Sequence, residues 1–306
     1  MNILDFYKVY PDEESCKIKF KESRDKQGIV CKKCSNTSHY WKKDRSQYEC
    51  KKCKNRITLR SGTVMENSKL SYQYWFIAMH LLTCTKKSFS AKELQRQIGH
   101  KRYEPIWAML HKLRSVMGLR DDQYDLTTAI ELDEGFFETV NINFSKEENL
   151  KRGRGSERQT KVLVMVESKH NPDNKDKHRP DKKVGYLKMK VIPNLKTDTI
   201  NKKIEEFVRE KTTVTTDDST SYNKISPTIE HIGQKVDKKE INKILPWVHK
   251  AISNSKRLLL DVHHRIDADF LQNYLNEFCY KFNRRYFTNP MERLIIAGIN
   301  HRWNEF

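Results

Sequence analysis

Apolar residues along the chain change their period near its middle. Between residues 72 and 117 they recur at helical spacing. YQYWFIAMHLLTC reads as a buried helix, and SFSAKELQRQIG follows, with Ser90 as N-cap and Glu93 three residues on. Gly99 ends that helix or makes the turn after it. The next segment, YEPIWAMLHKLRSVM, sets Ile106, Met109, Leu110 and Leu113 on one face, and Pro105 suits its first turn. From about residue 128 the period shortens to two. TAIELDEGFFETVN alternates, and KVLVMVES (161–168) and KVGYLKMKVIP (183–193) predict two further strands. A helix over 197–210 would bury Ile200, Ile204, Phe207 and Val208. TTVTTDDSTSY then predicts a short strand ending at Asp217 and Asp218, followed by helices near 249–261 and 267–283. Three strands, a helix, a fourth strand and more helices predict an α/β domain built on a mixed sheet.

Charge narrows the partners. The 306 residues carry 59 Lys and Arg against 40 Asp and Glu, a net charge of +19. An excess of this size favours a polyanion, most often nucleic acid, over a merely solvated surface. No run approaches the roughly 20 apolar residues of a membrane span. The opening MNILDFYKVYPDEESCKIKF has no apolar signal-peptide core. The expectation is a cytoplasmic, nucleoid-associated protein in a prokaryote, or a nuclear one in a eukaryote. The basic loops 146–161 and 169–183 are either DNA contacts or solvated.

Cysteine spacing supplies the sharpest local signal. In CKKCSNTSHYWKKDRSQYECKKC, Cys31 and Cys34 form one CxxC and Cys50 and Cys53 another, separated by fifteen residues. Two such turns complete a tetrahedral Zn2+ site, and the alternating HYWKKD and QYEC predict the hairpin of a small zinc ribbon. Four thiolates close the site, so it is structural, and His39 is left over. Cys84 and Cys279 sit in apolar helical patterns and read as core. The helical segment beyond the ribbon predicts a helix-turn-helix, whose His100, Lys101, Arg102, Lys112 and Arg114 would meet DNA; the competing reading is a helical bundle with a basic exterior.

Two carboxylates point to chemistry. Asp133 lies inside an apolar strand, where an acid is costly unless it binds something, and its neighbour Glu134 points to the other face. Asp217 lies at a strand C-terminus, where α/β sheets place ligands. Paired carboxylates in a DNA-binding protein suit Mg2+ or Mn2+; the alternative is that both are ordinary strand-end acids.

The order CxxC…CxxC, basic helices, ELDEGFFE, TTDDSTSY, LPWVHKAISNSKRLLLDVHH and NEFCYKFNRR resembles insertion-sequence DDE transposases with an N-terminal zinc ribbon, the Merlin-related group. The resemblance implies a ribonuclease H-like catalytic domain, magnesium-dependent cleavage at the terminal inverted repeats of an element, and joining of 3′-hydroxyl ends to target DNA. It matches Asp133 to the first metal-binding aspartate and Asp217, with Tyr222 five residues on, to the second, Asp218 being the alternative. The third position is often Glu in such families, with Lys or Arg seven residues later, and this group replaces that Glu. Seven residues are two helical turns, about 700°, which puts His249 and Lys256 on one face; Asn254, the alternative, lies about 140° round from His249. Lys256 and Arg257 would grip phosphates.

These readings divide the chain into an N-terminal segment (1–27), a zinc ribbon (28–60), a helical DNA-binding segment (68–120), a ribonuclease H-like domain (126–290) and a C-terminal tail (291–306). Paired element ends imply a homodimer or larger assembly. A domesticated, non-catalytic DNA-binding regulator and a metal-dependent nuclease without strand transfer are the competing functions.

Overall fold

The structure, a computed structural model, describes residues 1–140, 159–171, 182–217, 220–222, 224–234 and 244–303. Asp218 and most of the two basic loops lie outside them. The chain divides into two compact units, one of Met1–Arg120 with Tyr286–Phe306, the other of Asp121–Arg285.

In the first unit, α1 (Ile3–Val9) and α2 (Glu13–Gln27) precede a three-stranded antiparallel sheet, β1 (His39–Lys42), β2 (Gln47–Cys50) and β3 (Arg56–Thr58). A reciprocal cap between Asp12 and Ser15 starts α2. The buried Arg24 on that helix donates to the backbone carbonyls of Thr58, Leu59 and Ser61, tying α2 to the end of the ribbon. The predicted helices follow as α3 (Tyr72–Cys84), α4 (Ala91–Ile98) and α5 (Glu104–Asp121). Ser90 Oγ accepts the Glu93 N–H, and Gly99 closes α4 in the left-handed region at φ 65°. The carboxylate of Glu13 caps α3 by accepting the N–H groups of Tyr72 and Gln73.

Residues 291–306 are more than a tail. They hold most of helix α9 (Pro290–Asn300), which buries Leu294, Ile295 and Ile299 in the first unit. Its Gly298 carbonyl accepts the Val64 N–H, and a Cβ at Gly298 would stand 2.9 Å from Val64 Cγ1, so that close approach needs glycine.

The second unit is built on one five-stranded sheet. Its strands are β4 (Ile130–Glu138), β5 (Gln159–His170), β6 (Lys182–Ile192), β7 (Thr213–Asp217) and β8 (Glu230–Gln234), in the order β6-β5-β4-β7-β8. The first three pair antiparallel, and β7 and β8 are parallel to β4 and to each other. This mixed order is the ribonuclease H-like architecture. Helix α6 (Thr197–Phe207) covers one face; α7 (Pro246–Val262) and α8 (Leu271–Asn283) cover the other. The apolar run in β5 follows from this sandwich: Val162, Val164 and Val166 enter the α7–α8 core, Leu163 and Met165 the α6 core.

The NEFCYKFNRR stretch is architectural. Asn283 accepts the Leu187 N–H and donates to the Leu187 carbonyl and to Asp121, locking the end of α8 onto β6. Arg284 pairs with Asp121 at 2.6 Å, both side chains about 5% exposed. Replacing Asp121 with Ala strands a buried guanidinium and is expected to cost roughly 3–5 kcal/mol of unfolding free energy, read from urea titrations. A loss below about 1 kcal/mol would contradict this role.

Candidate active site and zinc ribbon

The ribbon site is formed by backbone turns. Cys31 accepts through its carbonyl the Ser35 N–H, and Cys50 likewise the Lys54 N–H; Ser35 and Lys54 take positive φ of 55° and 59° to close these two matching turns. The four sulfurs of Cys31, Cys34, Cys50 and Cys53 then lie within 4.8 Å of one another. The Cys53 backbone N–H is the largest of the influences that lower the Cys50 thiol to about 6, so a thiolate is at hand at neutral pH. His39 stands outside the cluster, its Nδ1 against the Thr37 carbonyl. Four sulfurs in this geometry make a closed structural zinc site.

In the second unit, register brings the acids together. Ile130 pairs with Val214 and Glu131 with Thr215, an offset that sets Asp217 level with Asp133 two residues on. Parity puts both on the α7 face, since Val214 between the threonines enters the α6 core. Asp133 Oδ1 accepts the Glu134 N–H at 2.8 Å, while Oδ2 faces His249 Nδ1 at 3.5 Å. Burial first, and then the charge of Asp217, raises the Asp133 carboxyl to about 6 against the lowering by the Glu134 N–H. Asp133, Asp217 and His249 stand further apart than the sulfurs: among the described residues, only the four cysteines bring three or more donor atoms within 4.8 Å.

His249 therefore meets Asp133, whereas Asn254 is exposed. Burial lowers the His249 imidazole, so it is neutral at pH 7, and its Nε2 is buried with no hydrogen-bond partner among the described residues. Helix α7 runs beside β4 in the same direction. His249 faces Asp133, Ile252 lies 3.5 Å from where a Cβ on Gly135 would be, and Lys256 Nζ sits 5.6 Å from the centre of the Phe137 ring. Two helical turns (about 11 Å) match four strand residues (about 13 Å), so Lys256 shares the face of the acids but stands further along it. There it lines a cavity of about 170 Å³ with Phe137, Leu259 and His263. Arg257 is exposed.

Three further residues flank this site, of which only Glu131 went unnamed in the sequence analysis. Glu131 shares the face of Asp133 and is 1% exposed. Glu134, on the opposite face, is raised to about 7, by burial and then by Asp133. Tyr222, 1% exposed, packs in the α6 core below the acids, and burial and then Glu134 drive its phenol well above the usual range. Period-two spacing from Asp133 was the available signal for Glu131.

The basic residues assigned to DNA in the first unit divide. Lys101 and Arg102 are exposed in the turn between α4 and α5. Lys112 is half-buried, donates to the Glu66 carbonyl and lies 5.2 Å from the Trp303 ring centre. Arg114 is buried and donates to the Phe89 carbonyl, because position 114 falls on the inward face of α5 with Leu110 and Leu113. It is a structural residue, out of reach of phosphates.

A ribonuclease H-like sheet and a four-cysteine ribbon in one chain define an insertion-sequence DDE transposase with an N-terminal zinc ribbon. The chain belongs to the ISXO2-like transposases: that transposase domain matches residues 125–283, just over half the chain, and a transposase zinc-ribbon domain matches residues 11–56. Among solved structures, the chain is similar to the Mos1 transposase paired-end complex with left transposon end, at 11% identity over 75% of this chain and 80% of that one, with a TM-score of 0.31. A pre-cleavage Mos1 transpososome gives 10% identity over 74% and 79%, with a TM-score of 0.28. No curated protein sequence matches the chain. Among the described residues, no helix is long and apolar enough to cross a membrane.

Proposed function

We propose that this transposase cuts the ends of its element and joins them to target DNA at a divalent-cation site held by Asp133 and Asp217 and completed by His249. The observation that carries the reading is the level position of the two acids on neighbouring strands, with His249 Nδ1 3.5 Å from Asp133. Asp133 is half-buried and raised to about 6, the mark of a carboxylate whose charge is unfavourable until a cation offsets it. Oxygen donors fit Mg2+ or Mn2+, and an imidazole nitrogen suits the latter better. Such a cation supplies Lewis acidity at the scissile phosphate and acidifies water.

The chain's own residues do the rest. The His249 Nδ1–H would orient the Asp133 carboxylate, leaving the Nε2 lone pair for a cation or a proton. Lys256 and Arg257 would hold the phosphodiester further along the strand, with Lys101 and Arg102 contacting DNA in the first unit. Water attacks the scissile phosphodiester and the bond to the 3′ oxygen breaks. The freed 3′-hydroxyl then attacks a target phosphodiester and displaces the target strand's own 3′ oxygen as a hydroxyl, with no covalent protein intermediate. Two ends must meet, so a homodimer or larger assembly is part of the proposal.

The test uses the full chain with duplexes carrying the element's ends. Wild type with Mg2+ or Mn2+ is expected to cleave and to join, and Asp133→Ala to do neither. Equal cleavage by both would remove the site assignment. Cleavage without joining would mean a nuclease, and DNA binding without cleavage a regulator.

A further inference from the structure

Glu131 is a carboxylate with the position of a metal ligand and the bonds of a brace. It lies two residues before Asp133 on the same face of β4 and is 1% exposed. Its Oε2 accepts two N–H groups from the first turn of α7, from Trp247 at 2.7 Å and from Val248 at 3.0 Å. Its Oε1 has no hydrogen-bond partner among the described residues. The next residue of that turn is His249. The helix has no side-chain N-cap of its own, and Leu245 stands at the capping position. A carboxylate from another element therefore takes the orphan donors and faces the positive end of the helix dipole.

We infer that Glu131 is a positioning residue for the proposed reaction, setting the distance between His249 and Asp133. The lever is short. One strand carries both Asp133 and the carboxylate that anchors the turn bearing His249, so the separation is fixed from both sides by the same two residues of backbone. The Trp247 indole adds a second tie, donating to the Lys182 carbonyl at 2.9 Å, but that tie leads to β6 and does not reference the helix to Asp133. Withdrawing the carboxylate frees two buried N–H groups and lets the first turn of α7 drift or fray. A shift of about 1 Å at a catalytic group is enough for a loss on the order of a hundredfold in rate.

The inference rests on the assignment of His249 to the active site, and the experiment separates the two. Single-turnover cleavage by the full chain is measured for Glu131→Ala, Glu131→Gln, Glu131→Asp, His249→Ala and the double variant Glu131→Ala/His249→Ala. Zinc content and thermal stability are recorded for each. Glu131→Ala is expected to lower the single-turnover rate constant about as far as His249→Ala, with the half-saturating DNA concentration within about twofold. Glu131→Gln, whose carbonyl can accept both N–H groups, should retain most of the rate. The double variant should be no slower than His249→Ala alone, because the two act through one group.

Losses that multiply in the double variant, or Glu131→Gln as slow as Glu131→Ala, would overturn the inference. If Glu131→Ala does not fold, Glu131→Asp, which keeps the charge but shortens the reach by one methylene, replaces it in the same cycle. Amide hydrogen exchange without added magnesium or manganese gives a readout free of activity. Exchange at residues 247–249 should rise in Glu131→Ala, and unchanged protection there would also overturn it. A wild type that does not cleave, but whose α7 exchange still depends on Glu131, would refute the catalytic proposal and leave the brace in place.

Discussion

Asp133→Asn is expected to yield a protein that is more stable than wild type in buffer without magnesium or manganese, and catalytically dead. Burial and the facing Asp217 raise the Asp133 carboxyl from 3.8 in the unfolded chain to about 6 in the fold. A raised carboxyl binds protons in the folded state that the unfolded chain has released. Its contribution therefore favours folding below about pH 4 and is lost as the pH rises through 6. At pH 7 the ionised form carries the full penalty, at most about 3 kcal/mol for a shift of this size, and a neutral Asn removes it. Urea titrations at pH 7 should show Asp133→Asn more stable by about 1–3 kcal/mol, with the gap closing toward pH 4. Strand cleavage should fall by roughly a thousandfold or more, the scale of removing a preorganised charge-stabilising group. A variant destabilised by more than about 1 kcal/mol would mean that Asp133 supports the fold and is not held there against it.

The second large effect belongs to the ribbon. The strands β1 to β3 bury few large apolar groups beyond Tyr48 and Ile57, so the four sulfurs and their zinc substitute for a core. Structural zinc in small domains contributes on the order of 10 kcal/mol or more. Cys50→Ala is expected to remove the bound zinc, measured by metal analysis, and to make residues 31–58 the first site of proteolysis. Melting of the second unit should stay within a few degrees of wild type. Full zinc retention by Cys50→Ala would contradict the four-sulfur site.

How legible these features were in the sequence depends on what each residue packs against. The β5 run and the β4 alternation were readable because burial on two faces, or on one, leaves a direct mark on hydrophobic order. Strand β8 was not read: Glu230–Gln234 is mostly exposed at the sheet edge, so its pairing with β7 rests on backbone bonds that no side-chain pattern records. Helix α2 was missed because its buried stripe is only Cys16, Phe20 and Arg24, and one of those is a charge. The ribbon cysteines were plain from spacing, which reports covalent geometry. Asp133 stood out as an acid in an apolar strand, yet Glu131 two residues earlier did not. Its partners are the N–H groups of Trp247 and Val248, more than a hundred residues away.

The stretch LPWVHKAISNSKR shows the same limit. Helical phase was enough to prefer His249 over Asn254, and in the fold His249 Nδ1 stands 3.5 Å from Asp133 Oδ2. Phase could not tell that Lys256 stands beside Phe137 and not beside the acids, since that depends on the pitch of α7 along β4. Nor could it tell that Arg114 turns inward, since α5 is buried around most of its circumference, at His111 and Ser115 as well as at its apolar positions.

The claim that Asp133 and Asp217 hold the catalytic cation is tested most directly by anomalous scattering from crystals of the full chain with end DNA and Mn2+. A manganese peak between the two carboxylates, with His249 at its edge, is the predicted result. Occupied manganese sites elsewhere, with none between Asp133 and Asp217, would contradict it.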